Sequence, residues 1–179
     1  RGNSITLGVG IEARAPQATT AFVAPEINND FVSNLTCEYL TSFELGYALN
    51  SQWVRANLTG YYTQLRDGTE WQNYYFDDVN SFTYVSLSGV EKEYYGVELG
   101  LQFKLTSNFS INLIGSMNEA KYTDNTNVSY MLSTEGYSES DLCYNKGMRE
   151  SGTPLTTASV GLNYRIKGWY LNLNGNYYD

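Results

Sequence analysis

Apolar and polar side chains alternate along seven stretches of the chain: residues 3–14, 40–49, 53–65, 94–105, 109–120, 155–165 and 169–178. In a β-strand, residues two apart share a face. In the fourth stretch Tyr95, Val97, Leu99, Leu101, Phe103 and Leu105 fall on one side, with Gly96, Glu98, Gly100, Gln102 and Lys104 on the other. The last stretch sets Trp169, Leu171, Leu173, Gly175 and Tyr177 against Tyr170, Asn172, Asn174 and Asn176. The sixth sets Ala158, Val160, Leu162, Tyr164 and Ile166 against Thr157, Ser159, Gly161, Asn163 and Arg165, and the first sets Ile5, Leu7, Val9 and Ile11 against Thr6, Gly8, Gly10 and Glu12. The pattern predicts seven amphipathic strands, each about the ten residues that a tilted strand needs to cross a bilayer.

The connections between these strands alternate in length. Asn50-Ser51-Gln52, Thr106-Ser107-Asn108 and Ile166-Lys167-Gly168 read as tight hairpins, whereas residues 15–39, 66–93 and 121–154 form long connections rich in Asn, Asp, Ser, Thr, Gly and Tyr. Transmembrane barrels have short periplasmic turns and long extracellular loops, so the first, third, fifth and seventh strands are expected to run outward. A half-buried strand of a soluble sandwich alternates as well. The aromatic positions favour the membrane: Trp53, Phe103, Phe109 and Trp169 flank the short turns, and Tyr61-Tyr62, Tyr94-Tyr95 and Tyr177-Tyr178 are expected at the opposite strand ends. Trp53, Tyr62, Tyr95, Phe103, Trp169 and Tyr177 are the candidate membrane-interface rings. The expected fold is all-β, an antiparallel transmembrane β-barrel.

Composition adds constraints. Seventeen tyrosines, sixteen glycines and three prolines suit a β-rich chain, and no apolar run reaches the length of a membrane-spanning helix. The chain opens on Arg1-Gly2-Asn3 beside a strand without a leader, so the exported form is expected to start elsewhere. Bacterial single-chain barrels have an even strand count, and an open sheet leaves unpaired edges in lipid, so these residues are expected to be one part of a larger barrel domain.

With no histidine in the sequence, the common general base, the Ser-His triad and the usual zinc ligand sets are excluded. Pairs such as Asp77-Asp78, or Glu91 and Glu93, are weak evidence for acid–base chemistry, and no enzyme is expected. Asp124-Asn125-Thr126-Asn127 lacks the glycine and closing glutamate of a calcium loop, so no metal and no cofactor are expected. The net charge of −8 favours cationic or neutral ligands and disfavours nucleic acid. Cys37 and Cys143 both lie in outward segments, where either a disulfide or two unpaired thiols fits the spacing. The tripeptide sequons at Asn34, Asn57, Asn108 and Asn127 are set aside, since Asn57 falls inside a predicted strand.

Binding residues concentrate on loops carried by a rigid scaffold. The middle connection holds Trp71, Tyr74, Tyr75, Phe76, Asp77 and Asp78, flat apolar faces mixed with acceptors that suit a sugar or peptide. Its other reading is an aromatic cluster that folds the loop onto its neighbours. The third connection offers Tyr130, Met131, Tyr137, Asp141 and Tyr144 with the same two readings.

Leu35-Thr36-Cys37-Glu38 followed by Ser42-Phe43-Glu44-Leu45-Gly46-Tyr47 resembles a recurring strand entry in TonB-dependent outer-membrane receptors. Tyr95-Gly96-Val97-Glu98-Leu99-Gly100 with Asn112-Leu113-Ile114-Gly115-Ser116 is similar, as is Pro154 leading to Val160-Gly161-Leu162-Asn163-Tyr164 and Leu171-Asn172-Leu173-Asn174-Gly175-Asn176-Tyr177-Tyr178. The abundant Tyr and Asn and the acidic loops are similar to receptors of Bacteroides-type bacteria. The resemblance implies a barrel of about 22 strands filled by an amino-terminal plug. It implies a Gram-negative outer-membrane location and uptake of a glycan, peptide, siderophore or cobalamin, energised by a TonB-type inner-membrane protein that contacts a segment outside these residues. A surface lipoprotein partner is known in the glycan-importing branch. Glu44, Glu98, Asn172 and Asn174 would then face the lumen. The rival expectations are a small independent barrel or adhesin, and a secreted carbohydrate-binding β-sandwich.

Overall fold

The computed structural model describes residues 2–132, 138–150, 152 and 154–179, and among them nine strands form one antiparallel sheet. They are β1 (Gly2–Arg14), β2 (Glu38–Asn50), β3 (Val54–Phe76), β4 (Ser81–Lys104), β5 (Phe109–Tyr122), β6 (Thr126–Leu132), β7 (Glu139–Cys143), β8 (Thr156–Ile166) and β9 (Trp169–Tyr178). Seven of them lie side by side in the order β1-β2-β3-β4-β5-β8-β9, and the path is open, with β1 and β9 at its two margins. These seven contain the seven predicted strands to within one residue at their ends.

Register gives each face its character. One row across the sheet joins Ile5, Tyr47, Leu58, Leu99, Gly115, Ala158 and Tyr177. The next joins Leu7, Leu45, Gly60, Val97 and Met117. This face is apolar and exposed over its whole width, which is what lipid accepts and water does not. The rows between carry Thr6, Gly46, Thr59, Glu98, Ser116 and Thr157, then Gly8, Glu44, Tyr61, Gly96 and Asn118. Here the Tyr61 hydroxyl donates to Asn118 Oδ1 at 2.9 Å across β4. A Cβ at Gly96 would meet Asn118 Oδ1 at 2.5 Å and the Met117 carbonyl oxygen at 2.7 Å, so only glycine lets the tyrosine pass.

The tight turns form where the sequence places them. Ser51 caps the first, its amide donating to the Val54 carbonyl at 2.8 Å and its hydroxyl accepting from the Val54 amide at 3.0 Å. Thr106 Oγ1 accepts from the Phe109 amide at 3.0 Å in the second. In the third, Lys167 and Gly168 both have positive φ, 43° and 88°, between the paired Ile166 and Trp169; this is the twist-matched two-residue hairpin.

The long connections depart from expectation. Residues 66–93 are not a loop, because β3 and β4 run on as a paired hairpin to a turn at Asp77–Val79. Residues 121–154 contain β6 and β7, and β6 pairs with the upper part of β4 after β5 has ended. Tyr62 and Tyr95 therefore pair with each other in mid-strand and not at strand ends. The reason is chemical: the buried side of the upper β4 is mostly polar, with Ser81, Ser86, Ser88 and Lys92 beside Tyr84 and Val90, and Ser86 and Ser88 lie under loop backbone. A strand whose buried face is mostly polar shows no apolar alternation. Cys37 and Cys143 are free thiols, so of the two readings the unpaired one holds.

Wall and projecting hairpin meet at an irregularity. Register shifts between Leu65 and Gly68 and between Gly68 and Thr69, with Asp67 at φ 54° and Gly89 at φ 63°. A Cβ at Gly89 would also stand 3.3 Å from Asn127 Nδ2. Replacing Gly89 by Val adds about 1–2 kcal/mol of left-handed strain. In membranes carrying the full-length protein, G89V is expected to raise proteolytic cleavage within residues 66–93 about tenfold while leaving the wall's resistance unchanged, since opening would be local.

Candidate ligand-binding cap

Beyond the Tyr62–Tyr95 pair the wall changes partners. On the same face Glu119 stands beside Tyr95 and Gln64, Glu93 and Lys121 follow in the next row, so polar groups begin at the level of the two tyrosines. From Trp53, at the short-turn end, to Tyr62 the strand rises about 30 Å, or roughly 23 Å along the normal at the usual barrel tilt. Trp53 and Trp169 are exposed at that end, Phe103 is half-buried one residue inside it, and Tyr177 is exposed near the far end of β9. The rings thus bracket an apolar band.

Above the band is a small second core. Val23, Ala24 and Val32 of the first connection pack with Tyr84 and Met131, and Trp71 closes over them. The Trp71 indole N–H donates to the Val23 carbonyl at 3.1 Å, and its ring meets Tyr84 at 6.2 Å. Small hydroxyls hold the loop backbone: Ser88 Oγ donates to the Ser33 carbonyl at 2.5 Å, and Ser33 and Ser129 share a hydroxyl contact of 3.3 Å. Phe22 stacks on Phe31 at 5.1 Å, and the Tyr84 hydroxyl reaches Glu26 at 3.4 Å. Trp71 is therefore a packing residue of the cap, in line with the loop-folding reading.

Its neighbours face solvent. Tyr74, Tyr75, Phe76 and Phe82 are each about half exposed at the hairpin tip. Tyr75 and Phe82 are paired across the hairpin and meet edge to face at 5.2 Å. The Tyr75 hydroxyl bonds to Asn80, the Tyr74 hydroxyl to Gln72, and the exposed Asp77 and Asp78 form the turn. The tip thus combines flat rings with carboxylates, held by polar contacts that fix the rings without covering them. Tyr130 donates to Glu139 at 2.7 Å on the neighbouring β6-β7 pair, and exposed Asp141 and Tyr144 flank it. Tyr137 lies outside the described residues.

The polar face carries Glu44, in register with Gly8 and Tyr61, and Glu98, in register with Thr59 and Ser116, both exposed. Nearer the short turns Asn172 Nδ2 donates to Asn163 Oδ1 at 2.5 Å, Asn174 bonds to Asn172, and Gln102 donates to Asn112 at 3.2 Å. Among the described residues no three His, Cys, Asp or Glu side chains approach closely enough to hold a metal ion.

One charged group is missed by sequence reading. Lys92, three residues past Tyr95 and on the opposite face of the sheet, is only 2 % exposed and forms ion pairs with Glu70 and, at 2.8 Å, with Glu150. Its ammonium lies 4.7 Å from the centre of the Tyr122 ring. Burial works against the charged form, but hydrogen bonds to Glu150 and Glu70 outweigh it and raise the lysine pKa above its ordinary value. An isolated lysine in a strand gives no sign of two carboxylates 22 and 58 residues away.

Lys92→Met strips the cation from two part-buried carboxylates, a loss expected to cost about 3 kcal/mol. Hydrogen exchange on the intact protein should then show faster amide exchange around Glu150 and in the upper half of β4, with the amides below the Tyr62–Tyr95 row unchanged.

Comparison with curated proteins and with solved structures returns no match. A family model does match: the description is TonB dependent receptor-like, beta-barrel, and the match covers residues 9–179. That span takes in β2 to β9 whole and Val9 to Arg14 of β1, and so nearly all of the wall whose register separates an apolar from a polar face. Its members are transporters of the Gram-negative outer membrane, and this chain belongs to the TonB-dependent receptor β-barrel family.

Proposed function

We propose that this chain supplies wall and cap to an outer-membrane receptor that captures a nutrient outside the cell and imports it with energy from the inner membrane. The observation that carries the reading is the continuation of β3 and β4 past the apolar band into a hairpin whose tip exposes Tyr74, Tyr75, Phe76 and Phe82 around Asp77 and Asp78. A rigid two-stranded arm loses little conformational freedom when a ligand settles on its end, unlike a loop that must be ordered first. Flat rings beside carboxylates suit the polar and apolar faces of a sugar or peptide, and siderophore or cobalamin ligands fit the same class of site. Tyr130 and Tyr144 extend the candidate surface.

Further strands and a plug, with the segment that contacts the TonB-type protein, belong to other parts of the receptor in this reading. An open sheet in lipid requires partners for the margins of β1 and β9. Glu44, Glu98, Asn172 and Asn174 would line the lumen toward the plug. A surface lipoprotein is a further candidate partner for the exposed cap.

Cells expressing the full receptor, offered labelled oligosaccharides, oligopeptides, ferric siderophores and cobalamin separately, test the reading. One class is expected to bind and enter. The double substitution Tyr75→Ala and Phe82→Ala should weaken its binding about 30-fold, the effect of removing a hot-spot contact. Deleting the energising protein should abolish entry and leave surface binding. Unchanged binding by the double variant would move the ligand site away from the hairpin tip.

A further inference from the structure

Charge along the wall is sorted by height. The stretches that carry the three tight hairpins, residues 45–65, 99–118 and 151–178, contain none of the nineteen acidic residues of the chain, yet they hold Arg55, Lys104, Arg165 and Lys167. All four are exposed. Among the described residues the ion pairs use Arg14, Lys92, Lys121, Lys146 and Arg149, all toward the opposite end of the wall, so these four cations have no carboxylate partner. Register places three of them on the polar face with Glu98: Arg55 pairs with Gln102, Lys104 with Ser110, Ser110 with Asn163, and Arg165 with Tyr170. The positions beside them on the other face are Phe103, Tyr164, Ile166 and Trp169, so at this level the wall is apolar outside and basic inside.

Each cation stands within a few residues of its hairpin, so the three form a strip along the rim of the mouth. From Arg55 to Arg165 the strip crosses three strand spacings and runs four residues along the strands, about 20 Å on the sheet. Between Lys104 and Arg165, over the short Ser110, lies a hollow of about 550 Å³ lined also by Asn163 and Tyr170. Asn163 Oδ1 accepts from Asn172 Nδ2 at 2.5 Å and from the Tyr170 hydroxyl at 3.4 Å, which leaves Asn163 Nδ2 to donate. Lys167, in the β8–β9 turn, lies beyond the last pair Ile166–Trp169, so the basic surface continues from the lumen onto the turns.

We infer that this strip docks an acidic, extended peptide segment of a partner that enters the mouth from the periplasmic side. Unpaired guanidinium and ammonium groups beside amide and hydroxyl donors suit carboxylates. Placement on the polar face sets the surrounding lipid aside as the occupant. The acidic cap around Asp77 and Asp78 disfavours capture of an anionic nutrient, so the negative charge is supplied from the other side of the membrane. A span of about 20 Å exceeds the reach of a small anion and matches about six residues of extended chain, whose alternate side chains would meet Arg55, Lys104 and Arg165 in turn. The inference rests on the proposed membrane placement, with the short turns toward the periplasm.

The test uses the full-length protein in nanodiscs and a fluorescent six-residue peptide that alternates glutamate and glycine, titrated by anisotropy beside its glutamine counterpart. Wild type is expected to bind the glutamate peptide roughly tenfold more tightly at low salt and to lose that preference as salt screens the charges. Arg55→Gln, Lys104→Gln and Arg165→Gln together should weaken binding roughly thirtyfold, and the charge-conserving set Arg55→Lys, Lys104→Arg and Arg165→Lys should retain it. Equal binding of the two peptides, or a preference that survives the glutamine variant, would overturn the surface. Full displacement by an equal concentration of inorganic phosphate would overturn the peptide and leave a simple anion site. No binding by wild type, with a photocrosslinker at Lys104 joining the mouth to the protein's own chain, would overturn the periplasmic partner and give the strip to an internal segment. Labelling of Ser107→Cys from outside intact cells, with Cys37 and Cys143 replaced by serine, would overturn the orientation itself, whereas a correctly oriented protein with no peptide preference would overturn the surface alone.

Discussion

A bilayer offers no hydrogen bonds to a peptide backbone, so every N–H and C=O at that depth must find its partner within the sheet. The rest of the structure follows from this requirement. Neighbouring wall strands are paired residue for residue, β1 with β2 from Gly2–Asn50 to Arg14–Glu38 without interruption. Because side chains alternate with a period of two, a slip of one residue would turn Leu7, Leu45 and Val97 inward and Glu44 and Glu98 into lipid. The tight hairpins at Ser51, Thr106 and Lys167-Gly168 set the register at one end of the wall. The crossing of Tyr61 over Gly96 to Asn118 adds a side-chain check on it from the polar face.

Above the Tyr62–Tyr95 row water supplies hydrogen bonds again, and strict pairing relaxes. There the bulge around Asp67, Gly68 and Gly89 becomes admissible, and β4 exchanges β5 for β6 as its neighbour. The same strand thus serves two layers with different side-chain rules. In the lower one the exposed face is apolar; in the upper one Ser86, Ser88 and Ser129 are buried beneath the first connection.

This difference explains what could be read in the sequence. The seven wall strands, their order, the short turns and the two faces were legible because lipid imposes a simple period-two rule over about ten residues. The continuation of β3 and β4 and the existence of β6 and β7 were not legible, since hydroxyls such as Ser86, Ser88, Thr126 and Ser129 share their buried positions with a few apolar residues while Tyr74, Tyr75, Phe76 and Phe82 stand in water. The exposed tip at Tyr74 and Tyr75 could be nominated from composition, but Trp71 could not be separated from them. Only its bond to the Val23 carbonyl, 48 residues distant in the chain, makes it part of the core. Lys92 and Glu150 are legible only as charges.

Two charged groups at the boundary level settle how the cap sits on the wall. Glu38, at the root of β2 and nearly buried, accepts from Arg14 at 2.5 Å and from the Thr69 amide at 3.1 Å. Lys92 holds Glu70, the next residue along β3, and Glu150 of the third connection. Thr69 and Glu70 directly follow the bulge, so the first and third connections are both fastened to the point where β3 leaves the wall. A buried ion that lost its partner would cost several kcal/mol, so alternative seatings of either connection are penalised far more than loss of an apolar contact would penalise them. A ligand that drew the hairpin tip toward it would pivot β3 at this point and load both fastenings together. The first and third connections would therefore respond as one body, coupled through two adjacent residues.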